Sequence, residues 1–262
     1  MPKSAKLGQN FLHDKNIAAK ITGAFLPQEG PVLEIGPGPG ILSRLLLEKI
    51  PAGRLTLIEI DRFLAGELRR RFGDGPRIIE EDILKIDLAR LYPQERVAVI
   101  GNLPYHISKE LVDWIIAGRQ KIGAAVLMLQ KDFVDKLLAA PGGKKYNAQS
   151  VLFQLLFQSR RCFHVPAGAF TPAPRIMSTV IALRPADFSP AAGIGEFYAF
   201  VKLGFAERRK TLWNNLAARY SREALGALAA ASGLPATVRA EQLPAGRFPQ
   251  LFVALNQIAG KE

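Results

Sequence analysis

Two short stretches of this 262-residue chain combine residue types that could do chemistry: Asn102-Leu103-Pro104-Tyr105 and Gly36-Pro37-Gly38-Pro39-Gly40. Pro104 fixes its own backbone and biases Leu103 to an extended conformation. That aims the Asn102 side chain and a nearby backbone carbonyl at one point, where two acceptors would hold an amine N–H pair. Tyr105 offers a flat face for stacking a base. The arrangement suits an exocyclic adenine amine attacking a methyl sulfonium. Such an amine is a poor nucleophile, because its lone pair is delocalised into the ring. Acceptors on its hydrogens favour the pyramidal, reactive form and set the direction of attack. No strong general base is required, since the proton can leave after transfer.

The glycine run lies between an apolar strand pattern and a helical one. Glycines there let backbone approach a ligand and leave helix N–H groups pointing at it. The spacing is Gly-x-Gly-x-Gly, not the Gly-x-Gly-x-x-Gly of dinucleotide binders, and no P-loop lysine follows. Glu59 lies 23 positions after Gly36 (59 − 36), near the ~20 expected of a carboxylate that grips ribose hydroxyls. Asp82 ends the next strand pattern and is placed to accept from an adenine amine. Each feature alone reads as an ordinary turn or a solvated strand end. On three successive strand ends they describe an adenosine-containing cofactor, with NAD and S-adenosylmethionine both admitted.

The elements that position these residues alternate. Strands are expected at 32–35, 54–60, 77–80, 97–100, 124–129 and 177–183. Helices are expected at 41–50, 63–72, 109–116 and 147–157. Uniformly apolar strands alternating with helices imply a parallel sheet covered on both faces. After a Pro/Ala/Gly-rich stretch at 185–195, only helices are expected, at 197–205, 208–220, 222–232 and 248–258. The expected fold is therefore α/β, a Rossmann-like domain over residues 1–184 with a basic N-terminal arm (Lys3 to Lys6), then a small all-α domain over 185–262.

Composition bounds the partners. Lys and Arg number 35 against 23 Asp and Glu, a formal net charge of +12. Such an excess points to a polyanion, nucleic acid first. A single cysteine, Cys162, forms no internal disulfide and no cysteine-based metal site, which fits a reducing compartment. His13 and His164 show no metal-ligand spacing, and His106 reads as a loop spacer. No apolar stretch is long enough to span a membrane. No metal, no membrane and a cytoplasmic location are expected.

The motifs in order resemble the ribosomal RNA adenine dimethyltransferase family, in particular its small-subunit, kasugamycin-sensitivity branch. They are Lys6-Leu7-Gly8-Gln9-Asn10-Phe11-Leu12, Glu34-Ile35-Gly36-Pro37-Gly38, Ile58-Glu59-Ile60-Asp61, Asp82, Asn102-Leu103-Pro104-Tyr105, Leu129-Gln130-Lys131, Phe170-Thr171-Pro172-Ala173-Pro174-Arg175 and Phe205 to Leu212. The resemblance covers nearly the whole chain. It implies a class I S-adenosylmethionine-dependent methyltransferase fold and S-adenosylmethionine as cofactor, contacted by Asn10, Leu12, Gly36, Gly38, Glu59, Ile60, Asp82 and Asn102. Asn102, Leu103, Pro104 and Tyr105 would form the catalytic loop, with Phe170 on the target base's other face. Lys144, Lys145, Arg208, Arg209 and Lys210 would bind RNA, the first two on a mobile loop at 141–146. The implied reaction is dimethylation of two adjacent adenosines in the 3′-terminal loop of small-subunit (16S) rRNA, within an immature 30S particle and by a monomer. Alternatives are a large-subunit enzyme of the macrolide-resistance type and a protein acting mainly in ribosome assembly. Against the first stand Leu103, where that branch more often has Ile, and the Arg-Arg-Lys-Thr run 208–211. His106, Trp213 and Ile176-Met177 depart from the family pattern.

Overall fold

The computed structural model describes residues 10–25 and 29–259. The arm Lys3 to Lys6 and the start of the first motif at 6–9 lie outside the described residues.

The chain divides into two compact units. One takes the described residues up to Val134 together with Gln158–Pro185; the other takes Asp135–Phe157 and the described residues from Ala186 on. The sequence reading had a single crossing near 185, whereas the chain crosses three times. The excursion at 135–157 contains an apolar helix whose partners are the later helices, so it leaves the sheet to bury its face.

The first unit opens with β1 (Phe11–Leu12) and α1 (Lys15–Ala24), then β2 (Val32–Ile35), α2 (Ile41–Leu47), β3 (Leu55–Glu59), α3 (Arg62–Phe72), β4 (Arg77–Glu80), α4 (Leu88–Leu91), β5 (Val97–Asn102), α5 (Ser108–Gly118) and β6 (Ile122–Gln130). The helix α6 (Lys131–Leu137) leads into the second unit and α7 (Ala148–Leu156) lies within it, before β7 (Phe157–Val165), β8 (Phe170–Thr171) and β9 (Ser178–Pro185) return to the first. The seven-stranded sheet runs β4-β3-β2-β5-β6-β9-β7. Its first five strands are parallel, and β9 runs antiparallel to β6. Every residue of β2 and β3 is buried, as a sheet covered on both faces requires.

Strand order reverses between β2 and β5. From β2 the chain moves to β3 and β4 on one side, then returns to β5 on the other. Such a switch point opens a crevice at the strands' carboxyl ends. Gly101 lets β2 and β5 approach there: a Cβ at this position would meet the Ile35 carbonyl at 2.8 Å and a Leu103 methyl at 2.9 Å. Short polar side chains then start the helices. Asp14 accepts from the Asn16 and Ile17 N–H groups, and Asp61 from those of Phe63 and Leu64.

Three strands, β1, β7 and β8, were missed. The edge strand β7 carries Gln158, Ser159, Arg160 and Arg161, whose polarity hides the alternation, and β8 is a two-residue bridge to β1.

The second unit continues with α8 (Gly193–Gly204), α9 (Leu212–Leu216), α10 (Arg222–Ser232) and α11 (Arg247–Ala259). Its core is aromatic: Phe197 packs edge-on against Phe252 at 5.5 Å, and Phe205 stacks on Phe248 at 5.7 Å. The helix expected over 208–220 is only α9. Thr211 caps it by accepting from the Asn214 N–H, so the chain before it must turn. Asn215 Nδ2 fixes that turn by donating to the carbonyls of Gly204 and Glu207. Arg208-Arg209-Lys210 thus lies on a turn and not on a helix face.

Candidate active site

An open cleft lies at the carboxyl ends of β2, β3, β4 and β5. Asn10, Gly36, Gly38, Glu59, Ile60, Asp82, Asn102, Leu103, Pro104 and Tyr105 all line it, ten of the residues named from sequence. Phe11, Ile35, Ile58, Glu81, Ile83 and Ile107 complete the wall and were not singled out. Their only signal is apolar or acidic character next to a named motif.

The glycine loop owes its course to positive φ at Gly36, Gly38 and Gly40 (+61°, +55° and +83°), a region that disfavours side chains. Gly36 N–H donates to the Ile58 carbonyl at 2.9 Å, and Gly38 N–H to Glu59 Oε2 at 3.0 Å. A Cβ at Gly38 would press on the Phe11 ring at 3.1 Å. Glu59 Oε1 accepts from the Asp61 N–H at 3.0 Å. Burial holds the Glu59 carboxyl above its ordinary pKa, against the pull of these backbone donors. Asp82 Oδ1 accepts from the Leu84 N–H at 3.0 Å, which sets the turn after β4.

Asn102 ends β5. Its Nδ2 donates to the Asn10 carbonyl at 3.3 Å, leaving Oδ1 as the acceptor end of the amide. The following backbone is pinned by the Leu103 N–H donating to the Met128 carbonyl at 3.1 Å. Tyr105 starts a single turn, and its hydroxyl lies 2.6 Å from Ser178 Oγ. His106 is exposed.

Leu12 does not line this cleft; it is buried and lines a small recess beside the glycine loop, with Glu34, Gly36, Gly38 and Asn102. Phe170 corrects the sequence reading. It is 3% exposed, sits opposite Leu12 in the β1–β8 bridge and packs into the hydrophobic core. The apolar neighbours of β8 take the ring inward, so it presents no second stacking face.

Glu34 was quoted in a motif but given no role. It is fully buried and Oε2 has no hydrogen-bond partner. Burial, reinforced by the Glu59 charge, pushes its pKa up to about 8, against a partly offsetting interaction with Ser43. An orphaned acceptor beside a glycine loop needs a donor. A cationic amino group fits that need, and the left-handed glycines leave room for backbone approach. The residues present therefore suit the amino-acid end of an S-adenosylmethionine-type cofactor.

In the second unit the basic residues behave differently. Arg208 donates to the carbonyls of Lys144 at 2.6 Å and Gly143 at 2.9 Å, and its Nε lies 3.6 Å from Glu241 Oε1. Lys145 pairs with Asp135 at 3.0 Å, and Lys210 with Glu207 at 2.6 Å. Lys144 and Arg209 are exposed. Arg208 thus brings the two basic runs together. The loop at 141–146, expected to be mobile, is tied down: Gly142 N–H donates to the Glu241 carbonyl, and buried Tyr146 donates to that of Leu243 at 2.9 Å. Among the described residues no group of three His, Cys, Asp or Glu side chains could hold a metal. No helix among them is long and apolar enough to cross a membrane.

A parallel sheet that reverses beside a left-handed glycine loop, with acidic strand ends and an Asn-Leu-Pro-Tyr loop in one cleft, defines a Rossmann-like methyltransferase. The family model described as ribosomal RNA adenine dimethylase matches residues 2–257, and the chain belongs to that family. It is 38% identical to the ribosomal RNA small subunit methyltransferase A of Koribacter versatilis, across 97% of this chain and 95% of the relative. It is equally 38% identical to the protein of that name from Geobacter metallireducens, across 97% and 96%. Among solved structures, the 23S rRNA methyltransferase ErmE is 27% identical with a TM-score of 0.72, covering 95% of this chain and 100% of that one. A dimethyladenosine transferase from Plasmodium falciparum shares the fold with a TM-score of 0.78 at 24% identity, covering 95% and 98%.

Proposed function

We propose that this enzyme uses S-adenosylmethionine to dimethylate the exocyclic amines of two adjacent adenosines in the 3′-terminal loop of small-subunit rRNA. It acts as a cytoplasmic monomer on an immature 30S particle. One observation carries the reading: the Asn102–Tyr105 loop lines the same cleft as the glycine loop, Glu59 and Asp82. A cofactor-holding wall and an amine-orienting wall therefore share one space. The curated relatives quoted above, named for the small subunit, favour that substrate over the large subunit.

Bound in the cleft, S-adenosylmethionine supplies an electrophilic methyl on a sulfonium. Gly36, Gly38 and Glu34 hold its amino-acid end, Glu59 its ribose hydroxyls, and Asp82 with Ile60 its adenine. Asn10, and Leu12 behind the loop, close this side. Asn102 Oδ1 and a backbone carbonyl of the Leu103-Pro104 segment accept the two target N–H bonds, and Tyr105 stacks on the base. Fixing the amine prepares its lone pair for in-line attack, and the proton leaves to water afterwards. Two transfers per base require the same acceptors to tolerate a monomethylated amine. Single-stranded loops suit the mechanism, because their bases splay out at low cost. Lys144 and Arg209 contact phosphate, while Arg208, Lys145 and Lys210 shape the corner that presents them.

Methyl transfer to undermethylated small subunits, large subunits and naked rRNA, followed by nucleoside analysis, tests the proposal. Dimethyladenosine in small-subunit rRNA alone, approaching four methyls per particle, is expected. Label in large-subunit rRNA instead would overturn the substrate assignment. Cofactor binding with no label on any substrate would favour an assembly role.

A further inference from the structure

Tyr105 is anchored at two points, and the family motif accounts for neither. Ser108 Oγ donates to the Tyr105 backbone carbonyl at 3.0 Å, which fixes the turn after Pro104. The Tyr105 hydroxyl meets Ser178 Oγ at 2.6 Å. Ser178 is 0% exposed and begins β9, opposite Gln130 in the antiparallel ladder with β6. The step before it is pinned as well, by the Lys131 N–H donating to the Met177 carbonyl at 2.9 Å. The tip of a cleft-lining tyrosine is thus moored to a fully buried residue of the sheet.

We infer that Ser178 is a positioning residue that holds the Tyr105 ring in its base-stacking orientation. The inference rests on the reading of Tyr105 as the platform for the target base. A tyrosine at a cleft mouth has several χ1 and χ2 states, and only some present a face to the base. A short hydroxyl–hydroxyl bond to a buried strand selects one before RNA arrives, so the ordering cost is met during folding. The bond is neutral, and Tyr105 still lines the cleft. Ser178 touches neither cofactor nor reacting amine, and it acts only through the ring.

A double-mutant cycle on small-subunit methylation tests this. Ser178→Ala is expected to lower kcat/KM for RNA by about 5- to 10-fold, the loss expected when one side chain must be ordered on binding. Cofactor affinity should be unchanged. Tyr105→Phe, which keeps the ring and removes the tether, should lose the same amount. The double variant should be no worse than either single one, and Ser178→Thr should recover activity. Losses that multiply in the double variant would overturn the inference, as would a Ser178→Ala enzyme indistinguishable from wild type while Tyr105→Ala is impaired. Full activity in Tyr105→Ala would overturn the platform reading and this inference together. If Ser178→Ala fails to fold, Tyr105→Phe still tests the tether from its other end: loss of kcat/KM supports it, and full activity overturns it.

Discussion

The cleft of the first unit and the basic corner of the second are built in opposite ways. In the cleft, backbone holds backbone: the Gly36 N–H on Ile58, the Gly40 N–H on Pro37 and the Leu103 N–H on Met128 set the loops. Asn102 and Tyr105 line the space, and Glu59 and Asp82 line it while each also accepts from a backbone N–H. At the corner, side chains hold backbone: Arg208 grips the carbonyls of residues 143 and 144, and Asn215 those of 204 and 207. Polar residues in the cleft are thus available to a ligand, whereas several charges at the corner are spent on the fold. The difference says where a substitution should cost activity and where it should cost stability.

The largest expected effect tests the cleft side. Asn102→Ala should lower methyl transfer by about 10²- to 10³-fold, the scale of losing one preorganised polar group at a reacting centre. The unfolding temperature should move little, because among the described residues the Asn102 side chain makes one long hydrogen bond, to Asn10. Single-turnover methylation together with thermal unfolding measures both. A large drop in stability would place Asn102 with the corner residues and break the contrast. Glu59→Ala is intermediate, since Glu59 both faces the cleft and ties Gly38 and Asp61. Cofactor affinity should fall by roughly 10- to 100-fold, as for a lost hydrogen bond to a charged group, measured by calorimetry.

Glu34 is a buried carboxyl beside the glycine loop, and its Oε2 has no hydrogen-bond partner among the described residues. With its pKa raised to about 8 from 4.5, the folded protein keeps a proton that the unfolded chain releases. The stability from this group is complete below pH 4.5, and it is lost as pH rises toward 8. Apo-protein stability should therefore fall across that window by an amount of order a few kcal/mol. Glu34→Gln, neutral throughout, should flatten that part of the curve. Denaturant unfolding at several pH values, without cofactor, decides it. An unchanged slope in the variant would assign the pH dependence elsewhere.

These two regions also differ in how much the sequence disclosed. The parallel sheet was legible because β2, β3 and β5 are dominated by apolar residues on both faces, which double-sided burial explains. The glycine and acidic wall of the cleft was legible because glycines and carboxylates recur at fixed positions after strands. Phe170 was misplaced because a motif carries no information about which way a ring turns, and the β1–β8 bridge that turns it inward spans 160 residues of chain. The polar edge strand β7 has too little alternation to register. Arg208 looked like one of three equal charges, and nothing local reveals that its guanidinium finds carbonyls some 64 residues away. Glu34 was visible as a letter, but the lack of a donor for its Oε2 among the described residues is a property of packing.

The smallest effect sharpens the corner side. Arg208 and Arg209 are adjacent and equally charged, so charge alone predicts equal losses of RNA affinity. The structure predicts unequal ones. Arg208→Ala removes two hydrogen bonds to carbonyls and the contact with Glu241, and should destabilise the protein by about 1–3 kcal/mol. Its RNA affinity should fall further than one charge explains, because Lys144 loses its backbone support. Arg209→Ala should leave the unfolding temperature unchanged. It should weaken subunit binding only modestly and reduce the slope of log affinity against log salt by about 1, the signature of a single phosphate contact. Binding titrations at several salt concentrations, run beside thermal unfolding of both variants, separate the two roles. Equal stabilities and equal salt slopes would mean that Arg208 is a phosphate ligand like its neighbour, and that the corner is built like the cleft after all.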